Sequence, residues 1–280
     1  MERKPLLVFQ TDFTYKEGAV AAMYGIVKSV DRDLEIMTAT HDLPQYDMWS
    51  ASYRLYQYVP FWPKGTIFVS VVDPGVGTSR KACVAKLSSG YYVVTPDNGA
   101  LTHVKRAYGI DEVREIDETI NRLKTTEGTS VFHGRDLFGY CAARLASGII
   151  SYEQVGPKYP VEDIVSLPVL EPEYTGNGVR GIIEIDDPNF GNAWTNIPTN
   201  DFLAHGFRYG ETVKIIVKNK GKVIYDKPTV FGKTFGVVKK GEPILYNNEL
   251  MRLSLALSQG SFIKEYGITF GPDVTIEITH

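Results

Sequence analysis

Apolar and polar positions along the chain follow two periods, and the two halves differ in which one dominates. Leu6-Leu7-Val8-Phe9 is a short apolar run and predicts a buried strand. From Glu17 to Val30 the residues Ala19, Val20, Met23, Ile26, Val27 and Val30 recur at helical spacing, with Glu17 favourably placed in the first turn. Leu34–Ala39 reads as a second strand, and Met48–Val59 as a helix stopped by Pro60. Gly65–Asp73 is rich in β-branched residues and predicts a strand, as do Lys81–Leu87 and Tyr91–Thr95. Gly134–Ile149 predicts a later helix. Strands alternating with helices point to an α/β domain whose mostly parallel central sheet is covered on both faces.

The pattern changes after about residue 170. Glu171-Pro-Glu-Tyr-Thr-Gly-Asn-Gly178 has the composition of a domain connection. Beyond it come short strand-like runs at 179–186, 212–217, 222–225, 253–257 and 274–279, separated by Gly, Asn and Pro turns. They predict a small barrel or sandwich. The expected division is 1–172, α/β, and 173–280, all-β and barrel-like. The chain shows no internal repeat.

Composition narrows the function. With 43% hydrophobic and 22% charged residues, the 280-residue chain has globular composition. A net charge of −3 lacks the basic footprint of a nucleic-acid binder or a membrane-surface protein. No apolar run approaches the ~18–20 residues of a membrane span. Met1-Glu2-Arg3-Lys4-Pro5 is not followed by a signal-peptide core, and two cysteines, Cys83 and Cys141, form no framework. A cytoplasmic protein is expected. Histidine chemistry has five candidates: His41, His103, His133, His205 and His280.

Several stretches combine chemistry-bearing residues with turn signals. Val71-Val-Asp73-Pro-Gly-Val-Gly-Thr-Ser-Arg80 ends a strand in Asp73 and then presents Arg80 from a Gly-rich turn, where α/β folds place ligands. No Lys-Ser/Thr pair follows to make a P-loop, and Arg80 takes the third-glycine position of a dinucleotide fingerprint. Taken alone, the stretch is equally a tight turn with a solvated arginine. Phe132-His133-Gly134-Arg135-Asp136 precedes a helix, where a histidine commonly caps or packs. Thr11-Asp12 ends the first strand, with helix capping as its plainer role, and Pro96-Asp97-Asn98-Gly99 is a turn. Asp186–Asn196 gathers Asp, Asn, Phe and Trp: groups for an amine, a base edge and stacking, or an Asn/Gly turn beside a core tryptophan. No cysteine or histidine spacing suits zinc or an iron–sulfur cluster, so no metal is expected.

Together and in this order, these motifs resemble the S-adenosyl-L-methionine (SAM) hydrolases, also called SAM hydroxide adenosyltransferases, relatives of the fluorinase and chlorinase enzymes. The resemblance spans nearly the whole chain: Thr11-Asp12-Phe13, Thr40-His41-Asp42-Leu43-Pro44, Val71–Arg80, Pro96–Gly99, Phe132–Asp136, Phe190-Gly191-Asn192 and the region Gly241–Ser261. It implies hydrolysis of SAM to adenosine and L-methionine, with SAM as substrate and no cofactor, in a homotrimer. Each site would lie between one subunit's N-terminal domain and its neighbour's C-terminal domain. Asp73, Arg80 and His133 match the family's residues around the attacking water. Which of them takes the proton stays open. The halogenating relatives carry Tyr at the Asp73 position and lack the His-Gly pair, and their insertion is missing after Leu87. Both features favour water over halide.

The resemblance also assigns binding roles. Asp12 would accept hydrogen bonds from the ribose hydroxyls, Tyr46 would pack beside the ribose, and Glu17 keeps a carboxylate where relatives often have Asp. Asp187, with Asp186 as the alternative, would hold the methionine ammonium. Asn192 would read the adenine edge, and Trp194 and Phe235 would pack on methionine and adenine. Leu257 and Gln259 belong to a strand end giving backbone hydrogen bonds to adenine. Asn247-Asn248-Glu249-Leu250 departs from the family, placing Glu249 where relatives bind the methionine carboxylate. The alternatives are a halide adenosyltransferase and a non-catalytic adenosine- or SAM-binding protein.

Overall fold

The computed structural model describes residues 3–280; Met1 and Glu2 of the N-terminal stretch lie outside the described residues. The chain divides into two compact units, the first ending at Leu167 and the second running Pro168–His280.

The first unit holds seven strands: β1 (Leu7–Thr11), β2 (Ile36–Thr40), β3 (Ile67–Val71), β4 (Ala82–Leu87), β5 (Tyr92–Pro96), β6 (Ile110–Glu115) and β7 (Lys158–Tyr159). Their order is β2-β1-β3-β5-β4-β6-β7. β2, β1, β3 and β5 run parallel, while β4 lies antiparallel between β5 and β6. β1 and β3 are buried along their whole length, as a sheet covered on both faces requires. Successive side chains divide between the two faces. Leu7, Phe9 and Val69 join Met23 and Val27 of the helix Ala19–Val30 and Leu137 and Phe138 in one core. Val8 and Phe68 join Leu55 of the helix Met48–Tyr58 and Val104 of the helix Thr102–Tyr108 in the other.

Two of the three expected helices differ from the sequence reading, and the helix Thr102–Tyr108 and strands β6 and β7 were not expected from it. The first begins at Ala19, and the Glu17 carboxylate accepts the Ala19 N–H at 3.0 Å from just outside it. The later one opens as a π-helical segment, Gly134–Gly139, and becomes α-helical only over Tyr140–Ala146. At Gly134 a Cβ would meet the rings of Phe13 at 3.1 Å and Phe132 at 3.2 Å, so this widened turn accommodates close aromatic packing. Among the described residues no helix is long and apolar enough to cross a membrane.

The second unit holds β8 (Glu173–Thr175), β9 (Gly178–Asp187), β10 (Asn192–Pro198), β11 (Thr212–Asn219), β12 (Lys222–Phe231), β13 (Pro243–Asn247), β14 (Arg252–Leu257) and β15 (Val274–Thr279). Their order is β10-β14-β13-β12-β11-β15-β9-β8, and the additional β9–β10 pairing closes seven of them into a barrel. Closure leaves no exposed edge except at the appended β8. Alternate residues such as Val213, Ile215 and Val217 of β11 and Leu253, Leu255 and Leu257 of β14 fill the interior.

Candidate active site

Strand order places the first cluster. β1 has β2 on one side and β3 on the other, and Thr11 pairs with Val71 at their shared C-terminal end. Asp12, His41 and Asp73 therefore follow the ends of three adjacent parallel strands, at the kind of switch point where open α/β sheets bind ligands.

After β3 the chain folds back through bonds from Val76 N–H to Asp73 C=O at 3.3 Å and from Thr78 N–H to Gly75 C=O at 3.1 Å. This turn brings Arg80 onto Asp73. Arg80 Nε donates to Asp73 Oδ1 at 2.9 Å and Oδ2 at 3.1 Å, and Nη2 donates to Oδ2 at 2.5 Å. Both side chains are mostly buried, and the guanidinium lies 5.2 Å from the centre of the Phe138 ring. Arg80 Nη2 also lies 2.9 Å from His133 Nδ1. A guanidinium can only donate, so Nδ1 accepts and the neutral ring carries its proton on Nε2. Burial first, and then the Arg80 charge, pull the His133 pKa below its ordinary value, which favours that neutral ring. His133 Nε2 is buried and has no hydrogen-bond partner among the described atoms. The sequence-predicted Asp73, Arg80 and His133 are thus one connected group.

Asp12 and Tyr46 join His133 and Asp73 around a small cleft of about 80 Å³, with Phe13 and Phe132 among its apolar walls. Asp12 Oδ2 accepts the Tyr46 N–H at 2.9 Å, and burial raises the Asp12 pKa. Tyr46 holds a left-handed backbone, φ +63°, and its side chain is exposed. Glu17 does not line this cleft. His41, a sequence candidate with no role assigned to it, turns out to be a support. Its Nδ1 pairs with Thr11 Oγ1 and its Nε2 with Tyr24 OH, both at 2.8 Å, while its C=O accepts the Thr14 N–H at 2.7 Å. These bonds fasten the turn that carries Asp12. The usable signal was that His41 directly follows a strand next to β1.

The second cluster belongs to the barrel unit. A cavity of about 740 Å³ is lined by all seven residues expected there: Asp187, Asn192, Trp194, Phe235, Glu249, Leu257 and Gln259. Asp187, not Asp186, reaches the lining, because neighbouring strand residues point to opposite faces. Asp187 Oδ2 accepts from Asn192 Nδ2 at 3.0 Å, so Asn192 orients the carboxylate. The turn between β9 and β10 is clamped: Gly191 has φ +74°, and a Cβ there would sit 2.0 Å from Ser261 Oγ. Lys233 and Tyr246 line the same cavity and were not singled out in the sequence. The Tyr246 ring lies 5.0 Å from Phe235, and burial pushes its hydroxyl up to about 12, keeping it a donor. A separate groove of about 520 Å³ beside Arg180 and Glu277 contains none of the expected residues.

A doubly covered α/β unit with an ion-paired Asp–Arg–His group at its switch point, followed by a closed barrel with an aromatic, acidic cavity, defines a two-domain small-molecule protein. The sequence profile of the SAM hydroxide adenosyltransferase N-terminal domain matches residues 7–156, and that of the C-terminal domain matches residues 181–275. The chain belongs to the SAM hydroxide adenosyltransferase family. It is 32% identical to the (R)-S-adenosyl-L-methionine hydrolase of Thermus thermophilus over 96% of this chain and 98% of that protein. It is 24% identical to a fluorinase of Actinopolyspora mzabensis over 98% of this chain and 97% of that protein. Among solved structures, an uncharacterized conserved protein from Thermotoga maritima superposes with a TM-score of 0.88. That protein is 33% identical, with 98% of this chain and 100% of that chain covered.

Proposed function

We propose that the protein hydrolyses SAM to adenosine and L-methionine by in-line attack of water or hydroxide on the ribose C5′. The observation that carries this reading is the Asp73–Arg80–His133 group, which joins a guanidinium to a neutral imidazole with its N–H turned away from the arginine. The sulfonium is a leaving group already activated, so the protein has only to place the oxygen nucleophile, for which positioning alone is worth several powers of ten. The oxygen forms its bond to C5′ as the C5′–S bond breaks, and the electron pair stays on sulfur, leaving the neutral thioether of methionine. The attacking oxygen becomes strongly acidic as that bond forms. His133 donates from Nε2 to hold this oxygen, Arg80 stabilises its hydroxide character, and Asp73 takes the proton. No cofactor is needed for this step.

Asp12 holds the ribose hydroxyls, and its burial-raised basicity makes it a strong acceptor. Tyr46 packs beside the ribose. In the barrel cavity Asp187 takes the ammonium, Trp194 and Phe235 stack on methionine and adenine, and the backbone at Leu257 and Gln259 takes the adenine edge. Because these two sets of residues belong to different units, one substrate needs both. We propose a cytoplasmic homotrimer in which one subunit's N-terminal unit and its neighbour's C-terminal unit serve the same SAM molecule. Support for this comes from the family resemblance and from the division of the chemistry between the units.

The test is incubation of the purified protein with SAM in halide-free buffer, followed by chromatography. Adenosine and methionine in equal amounts are expected. No adenosine at high protein concentration refutes the reading, and a 5′-halo-adenosine formed only with added halide replaces it by the fluorinase-like one.

A further inference from the structure

We infer that Lys233 is the carboxylate anchor of the barrel cavity, and so the residue that selects an amino-acid zwitterion over a simple amine. The inference rests on the hydrolase reading only for the identity of the ligand. The cavity wall contains two carboxylates, Asp187 and Glu249, and a single cation, Lys233. No ion pair or hydrogen bond is made by the Lys233 ammonium among the described residues, and the residue is exposed. Its backbone is nevertheless fixed. Gly232, the residue before it, donates its N–H to Leu245 C=O at 2.8 Å, across the parallel pairing of β12 and β13. Two residues further on, Phe235 packs on Tyr246. The lysine therefore stands on a rigid rim with a flexible, unengaged head.

Charge matching gives it a task. SAM carries a positive sulfonium, a positive ammonium and a negative carboxylate. The cavity wall carries Asp187 for a positive group and Lys233 for a negative one. Asp187, oriented by Asn192, suits the ammonium. A bound carboxylate needs a countercharge, and Lys233 is the cation the wall supplies. An ammonium is a compact three-donor charge that can follow a carboxylate on a flexible ligand.

The test compares the protein with its Lys233→Met and Lys233→Arg variants on two ligands, SAM and decarboxylated SAM, which lacks only the carboxylate. Affinity is read by calorimetry and turnover by initial rates. Lys233→Met is expected to weaken SAM about tenfold, the order of one charge-assisted hydrogen bond in a partly open site. Decarboxylated SAM keeps its affinity, kcat for SAM stays within about twofold, and Lys233→Arg restores SAM binding. Equal weakening of both ligands, or no change for SAM, overturns the inference. Binding of SAM without adenosine formation would refute the hydrolase reading while the same affinity ratio still decides the role of Lys233. No binding of SAM at all refutes both.

Discussion

Replacing Arg80 by lysine keeps the charge and removes the fork. In the structure the guanidinium uses Nε and Nη2 on the Asp73 carboxylate, and the same Nη2 reaches His133 Nδ1. A lysine ammonium is one point on a flexible stem and cannot reproduce both contacts at once. At least one charge-assisted hydrogen bond is lost, worth about 1.5–3 kcal/mol, and nothing then keeps the His133 proton on Nε2. If that loss falls wholly on the step that forms the C–O bond, kcat drops by roughly 10- to 150-fold, and the lost control of the His133 tautomer adds to it. KM for SAM should move little, because the ligand-holding residues are elsewhere. Initial rates of adenosine release over a range of SAM concentrations measure both constants, and thermal unfolding checks that the fold survives. A variant with kcat within about threefold of the parent, or a loss expressed wholly in KM, would refute the idea that the fork organises the nucleophile.

Other outcomes follow from separate parts of the structure. His41 and His103 are both buried, and burial pulls their pKa values down to about 4 and about 3 from 6.5. Because the folded state favours the neutral ring, each contributes fully above the ordinary histidine value and loses its contribution as pH falls from there. The loss reaches about 3 kcal/mol per residue near pH 4. Tm should fall steeply between pH 6.5 and 4, and a flat profile would contradict the burial assignment. Gly191→Ala forces a Cβ against Ser261 from a left-handed backbone and should cost about 1–3 kcal/mol. It should lower Tm and raise KM more than it lowers kcat, read by the same assays. Mixing Asp73→Asn with Trp194→Ala subunits, after dissociation and reassociation, should restore up to roughly a quarter of parental activity if sites are shared around a trimeric ring. Activity no higher than the two variants separately would mean that each chain serves its own site.

β1 to β5 were legible because they are short apolar or β-branched runs, and the Asp73–Arg80 turn because the Gly-rich stretch must fold back after a buried strand. β6 went unread because Asp111, Glu112, Arg114 and Glu115 break its apolar pattern, and β7 because it is two residues long. The closing strands of the barrel were harder. β13, Pro243–Asn247, is five residues long. β10 begins at Asn192 inside a polar stretch that reads locally as a turn. Only the ring of pairings reveals them as strands. The π-helical opening at Gly134 carries no periodic signature over six residues. Lys233 went unnoticed because an exposed lysine in a turn looks like solvated surface until the cavity wall is assembled around it. The bracing role of His41 could not be assigned because its partners, Thr11 and Tyr24, are 30 and 17 residues away in sequence.

Hydrolysis by this route leaves a water oxygen on C5′. A single turnover of SAM in heavy-oxygen water, with the products separated and weighed by mass spectrometry, tests it directly. Adenosine carrying the heavy isotope in its 5′-hydroxyl, with unlabelled methionine, is the expected result. Adenosine without the label, or label in the amino-acid product, would contradict it.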